Sequence, residues 1–164
     1  MTYFPDLSHY IYGQECGYYP ALITPLNVGW LGRGESFPTD TTGWPDQNFL
    51  DNLALFEQRA YLVNLTRGWH LCELCEGAAK EYQEDWETCL VAGKLCHDEI
   101  RVLGGDGVVY AAPAMLRHYV TTHQYKPPDS FIQAILHGSR PDSPAATEAR
   151  VQSSWDATGC PEFH

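Results

Sequence analysis

Residues 67–75 read Arg67-Gly68-Trp69-His70-Leu71-Cys72-Glu73-Leu74-Cys75. Cys72-x-x-Cys75 places two thiolates where a single tight knuckle can grip one tetrahedral ion, and Gly68 allows the turn that precedes it. By itself the pair is a weak signal; the downstream sequence strengthens it. Glu99-Ile100-Arg101-Val102-Leu103 has the composition of a strand, Gly104-Gly105-Asp106-Gly107 is turn material, and Val108-Val109-Tyr110-Ala111-Ala112 returns, which predicts a β-hairpin. After it, Pro113 suits the first turn of a helix, whose buried face would be Met115, Leu116, Tyr119 and Val120. That helix carries His118 and His123. Knuckle, hairpin and a helix with two imidazoles is the general order of Cys2His2 zinc modules. The sequence therefore predicts a structural Zn2+ held by Cys72, Cys75, His118 and His123, with His70 as a spare ligand and Cys89, Cys96 and His97 as more distant ones.

Two features depart from a simple finger. Residues 76–117 make 42 between the second Cys and the first His, so a predicted helix from Ala78 to about Leu95 is an insertion. Its stripe is Tyr82, Trp86, Cys89 and Leu90, with Glu84, Asp85 and Glu87 facing away. Positions five apart on a helix also lie about 140° apart around its axis, so His123 requires the last turn to loosen.

Upstream of the knuckle, residues 1–45 are rich in Gly, Pro, Tyr and Thr and read as loops, with one short strand near Leu26-Asn27-Val28-Gly29-Trp30-Leu31. Pro45 and Asp46 introduce a helix whose apolar face is Phe49, Leu50, Leu53 and Phe56, ending near Arg59. Tyr61-Leu62-Val63-Asn64-Leu65 reads as a strand. Downstream, Pro127 and Pro128 end the histidine-bearing helix. Ser130 with Gln133 forms a capping-box pattern for a further helix from Phe131 to about Leu136, stopped by Gly138. The fold class is α+β: one small domain over 1–138 with a zinc-knuckle, β-hairpin and α-helix element and two or three further helices. Residues 139–164 read as a polar C-terminal extension, loosely docked.

Composition narrows the function classes. With 164 residues and 44% hydrophobic content the chain can bury one ordinary core, to which 10 Tyr and 5 Trp contribute large areas. A net charge of -11 opposes binding to a phosphate backbone. The dense acidic run around Glu81 to Glu87 reads first as a solvated face and next as a complement to a basic partner. The amino-terminal stretch MTYFPDLSHYIYG has neither a basic start nor an unbroken apolar run, so it is not a signal peptide. No stretch approaches the ~20 apolar residues of a membrane span. A cytoplasmic location is expected, where six cysteines read as thiols, ligands or redox groups rather than a disulfide framework. Cys16 and Cys160 lie in loop-like segments and are assigned no role.

Two other chemistries use the same residues. Cys72 and Cys75 after Trp69 fit a thiol-disulfide oxidoreductase, although six residues separate the preceding strand from the first Cys and Pro113 follows a strand instead of preceding one. His97-Asp98-Glu99 with a Cys-x-x-Cys fits a zinc-dependent hydrolase or deaminase, but the order is reversed and no proline precedes Cys72. There is no phosphate loop, no G-x-S-x-G and no H-E-x-x-H. The balance is against an enzyme.

A wider set of blocks carries a resemblance. They are Asn64-Leu65-Thr66 running into the knuckle, Glu99-Ile100-Arg101-Val102, Tyr110-Ala111-Ala112-Pro113, His118-Tyr119-Val120 with His123, and Pro127-Pro128-x-x-Phe131. Tyr3-Phe4-Pro5-Asp6-Leu7-Ser8 and Asn27-Val28-Gly29-Trp30-Leu31 belong with them. From residue 3 to about 138 this series resembles an uncharacterised family of small bacterial proteins, a domain of unknown function with an R-G-x-H-x-C-E-x-C motif and a downstream H-Y-V-x-x-H helix. The resemblance implies one domain, a bacterial or phage-like cytosolic setting, and the motif as a unit. It brings no activity. The chain departs from the pattern in 76–98 and after 139. The leading expectation is a protein-protein interaction or adaptor-like module, with a defence or toxin-neutralising role as a variant. Its partner would be another protein, not a nucleic acid or a membrane.

Overall fold

The computed structural model describes residues 3–12, 21–66 and 68–155; Cys16, Arg67, Cys160 and the last part of the tail lie outside the described residues. In chain order the elements are β1 (Leu26–Asn27), α1 (Gln47–Phe56), a 3-10 turn (Arg59–Tyr61), β2 (His70–Leu71), α2 (Ala78–Glu84), α3 (Trp86–Val91), β3 (Leu95–Cys96), β4 (Glu99–Leu103), β5 (Val109–Pro113), α4 (Leu116–His123), α5 (Asp129–His137) and α6 (Pro144–Gln152). The chain is a small α+β domain. None of these helices is long and apolar enough to cross a membrane.

The predicted hairpin is the centre of the fold. β4 and β5 pair antiparallel, with Ile100 opposite Ala112 and Val102 opposite Tyr110, and β1 adds a parallel edge to β5. Strand alternation then gives the sheet two different faces. Ile100, Val102, Tyr110 and Ala112 join the main core, with Phe49, Leu53 and Phe56 of α1, Leu116, Tyr119 and Val120 of α4, and Phe131 and Ile135 of α5. The opposite face carries Ala111 under Phe4, Tyr10 and Trp30, whose indole N–H donates to the Ala111 carbonyl at 3.0 Å.

α1 forms where its apolar spacing and its cap place it. Asp46 accepts from the Asn48 N–H at 3.0 Å, and Phe49, Leu53 and Phe56 are buried. α5 ends at Gly138, where a Cβ would lie 2.6 Å from the Leu103 carbonyl oxygen, so the close approach of helix to strand requires glycine. Its start differs from the capping-box pattern: Pro128 is the N-cap, and Ser130 lies inside the helix.

Four further expectations change. The helix predicted over 78–95 is two short helices. Asp85, at φ -155° and ψ 86°, ends the first and caps the second by accepting from the Thr88 N–H and hydroxyl. Of the proposed stripe only Cys89 is buried, and Leu95 has become strand, pairing antiparallel with β2. The stretch 61–65 begins on the last residue of the 3-10 turn and then makes a single bridge from Val63 to Glu99, and Asn64 takes a positive φ of 55° that breaks an extended run. The strand read over 26–31 is regular only at Leu26–Asn27, since Gly29 has φ 72°. Pro113 is the last residue of β5, and α4 begins at Leu116.

The segment after 139, expected to dock loosely, forms α6 against β4. Ser143 caps it, Ala146 and Ala149 are buried, and the chain continues into buried Ser153, Ser154 and Trp155. The polarity of this segment conceals its apolar contacts, which are supplied by two alanines and one tryptophan.

Candidate metal centre

Cys72 leaves β2, and its N–H donates to the Lys94 carbonyl at 2.8 Å. The β2–β3 ladder thus fixes the start of the knuckle, with His70 opposite Cys96 and Leu71 opposite Leu95. The two helices α2 and α3 form the insertion between those strands. It is held by Lys94, whose ammonium lies 2.7 Å from the Glu81 carboxylate. On the outer side, Arg33 Nε donates to the Glu73 carbonyl at 3.1 Å, so the knuckle is held from a second direction.

α4 brings the histidines. It remains helical through His123 and closes at Gln124, in the left-handed region at φ 55°, whose N–H donates to the Tyr119 carbonyl. The loosening expected of the last turn does not occur before His123. The two rings instead converge edge to face, with centroids 5.2 Å apart.

The structure brings Cys72, Cys75, His118 and His123 together: one donor atom from each lies within 4.8 Å of every other. Cys75 Sγ is 3.3 Å from His118 Nε2 and 3.4 Å from His123 Nε2, and Cys72 Sγ is 3.4 Å from His123 Nε2. A tetrahedral zinc site with bonds of about 2.3 Å to sulfur and about 2.0–2.1 Å to nitrogen has S···N edges of about 3.5–3.6 Å. The four donors are therefore close enough to bind a metal ion with little rearrangement. His118 Nδ1 lies 3.3 Å from the Thr122 hydroxyl, the kind of outer partner that fixes which ring nitrogen faces a metal.

The protonation states suit this use. Burial pushes the His118 imidazole down to about 4, helped by neighbouring His123, and burial lowers His123 as well. Both rings are therefore neutral near pH 7, as ligands must be. Burial also pushes the Cys72 thiol up to about 11, opposite to the depressed value of a reactive redox thiol. Cys72 is fully buried and follows a strand. A cation at the centre would reverse that shift, because a coordinating thiol is deprotonated.

The spare candidates have other places. His70 Nε2 is 3.4 Å from the Tyr119 hydroxyl, and burial pushes its imidazole down to about 3. Cys89 and Cys96 are buried free thiols on α3 and β3. His97 stacks on Trp69 with centroids 4.1 Å apart. Glu99, the acid of the H-x-E, is buried on the far face of the hairpin. There it meets Arg101 Nη1 at 2.7 Å, accepts from Asn64 Nδ2 at 3.1 Å, and accepts from the Tyr10 hydroxyl.

Sequence reasoning does not find two parts of this picture. Thr122 is four residues beyond His118 on one helix, so its position is readable from helical spacing. The cluster of Tyr10, Asn64, Glu99 and Arg101 joins three distant segments, and only the i, i+2 alternation of Glu99 and Arg101 hints that they share a face.

No curated protein and no solved structure matches the chain. A family model does match it, over residues 2–136, a span that contains the knuckle, the hairpin and both histidines. The chain accordingly belongs to the family described as a domain of unknown function, DUF7919.

Proposed function

We propose that the chain is a zinc-stapled protein-interaction module. A structural Zn2+ on Cys72, Cys75, His118 and His123 would fasten the β2–β3 corner to α4. The observation that carries this reading is the donor set: four protein donors lie within 4.8 Å of one another, two soft thiols and two neutral imidazoles. A set of four fills a tetrahedral zinc and leaves no open position for a substrate or a water, which is the mark of a structural site. The apparent binding free energy of such sites is about 10–16 kcal/mol in small zinc modules, so the ion contributes directly to folding.

The interaction half of the reading is supported by the surface of the insertion. Trp69 and Trp86 pack with centroids 6.0 Å apart and remain exposed, beside exposed Leu90 and Val91. Exposed aromatic and aliphatic groups grouped in this way favour protein contacts. The flanking acids Glu84, Asp85 and Glu87 and the net charge of -11 favour a basic protein partner, in a cytoplasmic setting and in the manner of a toxin-neutralising protein.

Elemental mass spectrometry tests the staple on protein purified without a metal-affinity tag. About one zinc per chain is expected in the wild type, with loss in Cys72→Ser and His118→Ala. A metal-free wild type whose Cys72 and Cys75 titrate as reactive thiols would replace this reading with thiol redox chemistry.

A further inference from the structure

A cleft of about 260 Å³ lies between the aromatic cluster on the far face of the hairpin and the corner that holds the metal ligands. Phe4, Tyr12 and Trp30 stand on one side; Phe4 meets Trp30 edge to face at 6.1 Å. On the other side Trp69 lies flat against His97, the planes 16° apart. Asn64, Thr66, His70, Asp98 and Glu99 are among the other lining residues, and no lysine or arginine lines the cleft among the described residues, although Asp98 also borders a neighbouring cleft that Arg59 lines.

The two carboxylates are not equivalent. Glu99 is engaged by Arg101, Asn64 and Tyr10. Asp98 has a side chain only 15% exposed, and the one basic side-chain nitrogen within 4.0 Å of it among the described residues is His97 Nε2 at 3.9 Å. Arg59 acts on it only at longer range. A carboxylate withdrawn from water without a close cation raises the energy of its charged form, and burial does push the Asp98 carboxyl up.

We propose that this cleft recognises an organic cation, the guanidinium or ammonium of an arginine or lysine side chain presented by a basic protein partner. Trp30, largely buried, and Trp69, one face of which is covered by His97, both line the cleft and would attract such a group through their quadrupoles, while Asp98, which lines it too, would supply the opposite charge. The size agrees: ligand sites for drug-sized molecules run to about 300–1,000 Å³, so this cleft fits one side chain rather than a nucleotide or a large cofactor. An anionic ligand would meet the Asp98 carboxylate, Glu99 being already paired with Arg101, and a purely apolar one would bury Asp98 unpaired. The inference rests on the proposed interaction role and deepens it by giving it a site.

The test titrates the zinc-loaded full chain with N-acetyl-arginine methylamide and N-acetyl-lysine methylamide. The neutral control is N-acetyl-citrulline methylamide, and binding is followed by 1H–15N shifts of the tryptophan indoles. Free methylguanidinium and an Arg-containing tripeptide separate a small amine site from one that reads a side chain in a chain. The expected result is saturable binding of the cations, at least tenfold weaker binding of citrulline, and the tightest binding by the tripeptide. Asp98→Asn should weaken cation binding at least tenfold while zinc content and melting temperature stay at the wild-type values. Trp69→Ala should weaken it as well. Equal binding of citrulline, or no saturable shift in a zinc-loaded protein, would overturn the proposal while leaving the staple standing. Arg67 neighbours Thr66 and Gly68 of the lining, so an Arg67→Gln variant is included. Binding seen only in that variant would also overturn the proposal, since the cation of the cleft would then be the chain's own.

Discussion

Two clusters of polar side chains are withdrawn from water in this molecule, and they are completed in opposite ways. On the far face of the hairpin, Glu99 and Arg101 pair at 2.7 Å, and donors and acceptors from Tyr10, Asn64 and the Ser153 carbonyl surround them. Opposite charges and all but one of the arginine's hydrogen-bonding nitrogens are matched by the chain itself; Arg101 Nη2 is buried without a hydrogen-bond partner among the described residues. At the β2–α4 corner the four groups are all electron-pair donors, and their ring nitrogens and sulfurs face one another at 3.3–3.4 Å. Among the described residues the thiols and imidazoles have one another as hydrogen-bond partners there, whereas a cation would satisfy all four donors at once. The first cluster specifies the fold from within the chain; the second, under the proposed zinc reading, borrows its stability from a ligand.

The largest effect should come from removing that ligand. A strong chelator, or Cys72→Ser, is expected to lower the melting temperature by far more than any single substitution in the Glu99–Arg101 cluster, as read by calorimetry alongside metal content. An unchanged melting temperature after verified metal loss would erase the distinction. Next, Arg101→Met leaves Glu99 buried without its cation and should cost about 3–5 kcal/mol in denaturant unfolding. The folded fraction should still hold its metal. A cost below about 1 kcal/mol would mean that Tyr10 and Asn64 carry the cluster.

Acid should distinguish the two clusters further. The folded-state values of His118 and His123 lie below that of an ordinary histidine, so the unfolded chain binds more protons as pH falls. The stability these neutral rings give the metal-free fold is therefore present above about pH 6.5 and lost as the pH falls toward the His118 value of about 4. Metal release, monitored with a chromophoric chelator, should come at lower pH than this loss of metal-free stability, because a bound cation opposes protonation of its ligands, and release already above about pH 6.5 would contradict the ligand assignment. The smallest effect belongs to Thr122→Val, which removes the hydroxyl 3.3 Å from His118 Nδ1. It should weaken metal affinity about 10-fold or somewhat more, with little change in the fold, in a competition titration. No change would remove Thr122 from the site.

The legible residues are those whose partners are close in sequence or whose chemistry is rare. Cys72 and Cys75 announce themselves by spacing, the hairpin by its glycine turn between two apolar runs, and α1 by Phe49, Leu53 and Phe56 at helical intervals. Tyr10, Asn64 and Trp155 cannot be read in the same way. Trp155 N–H donates to Asn64 Oδ1 at 3.2 Å across 91 positions of chain, and no local pattern encodes such a pairing. The break at Asp85 escapes the periodicity because a helical stripe gives no weight to a side chain that caps the next turn.

The sequence by itself determined the α+β class, the hairpin, the first helix and the four residue types able to hold a metal, because each depends on periodicity, turn chemistry or ligand softness within a short span. Only the tertiary structure decided that His118 and His123, five positions apart on one helix, converge on the knuckle. It also decided that His70 goes to Tyr119 and that the two faces of the hairpin bury different chemistry. Those outcomes depend on how helix and strands are oriented against a shared core, and that orientation is fixed by packing between segments, not by the order of residues within any of them.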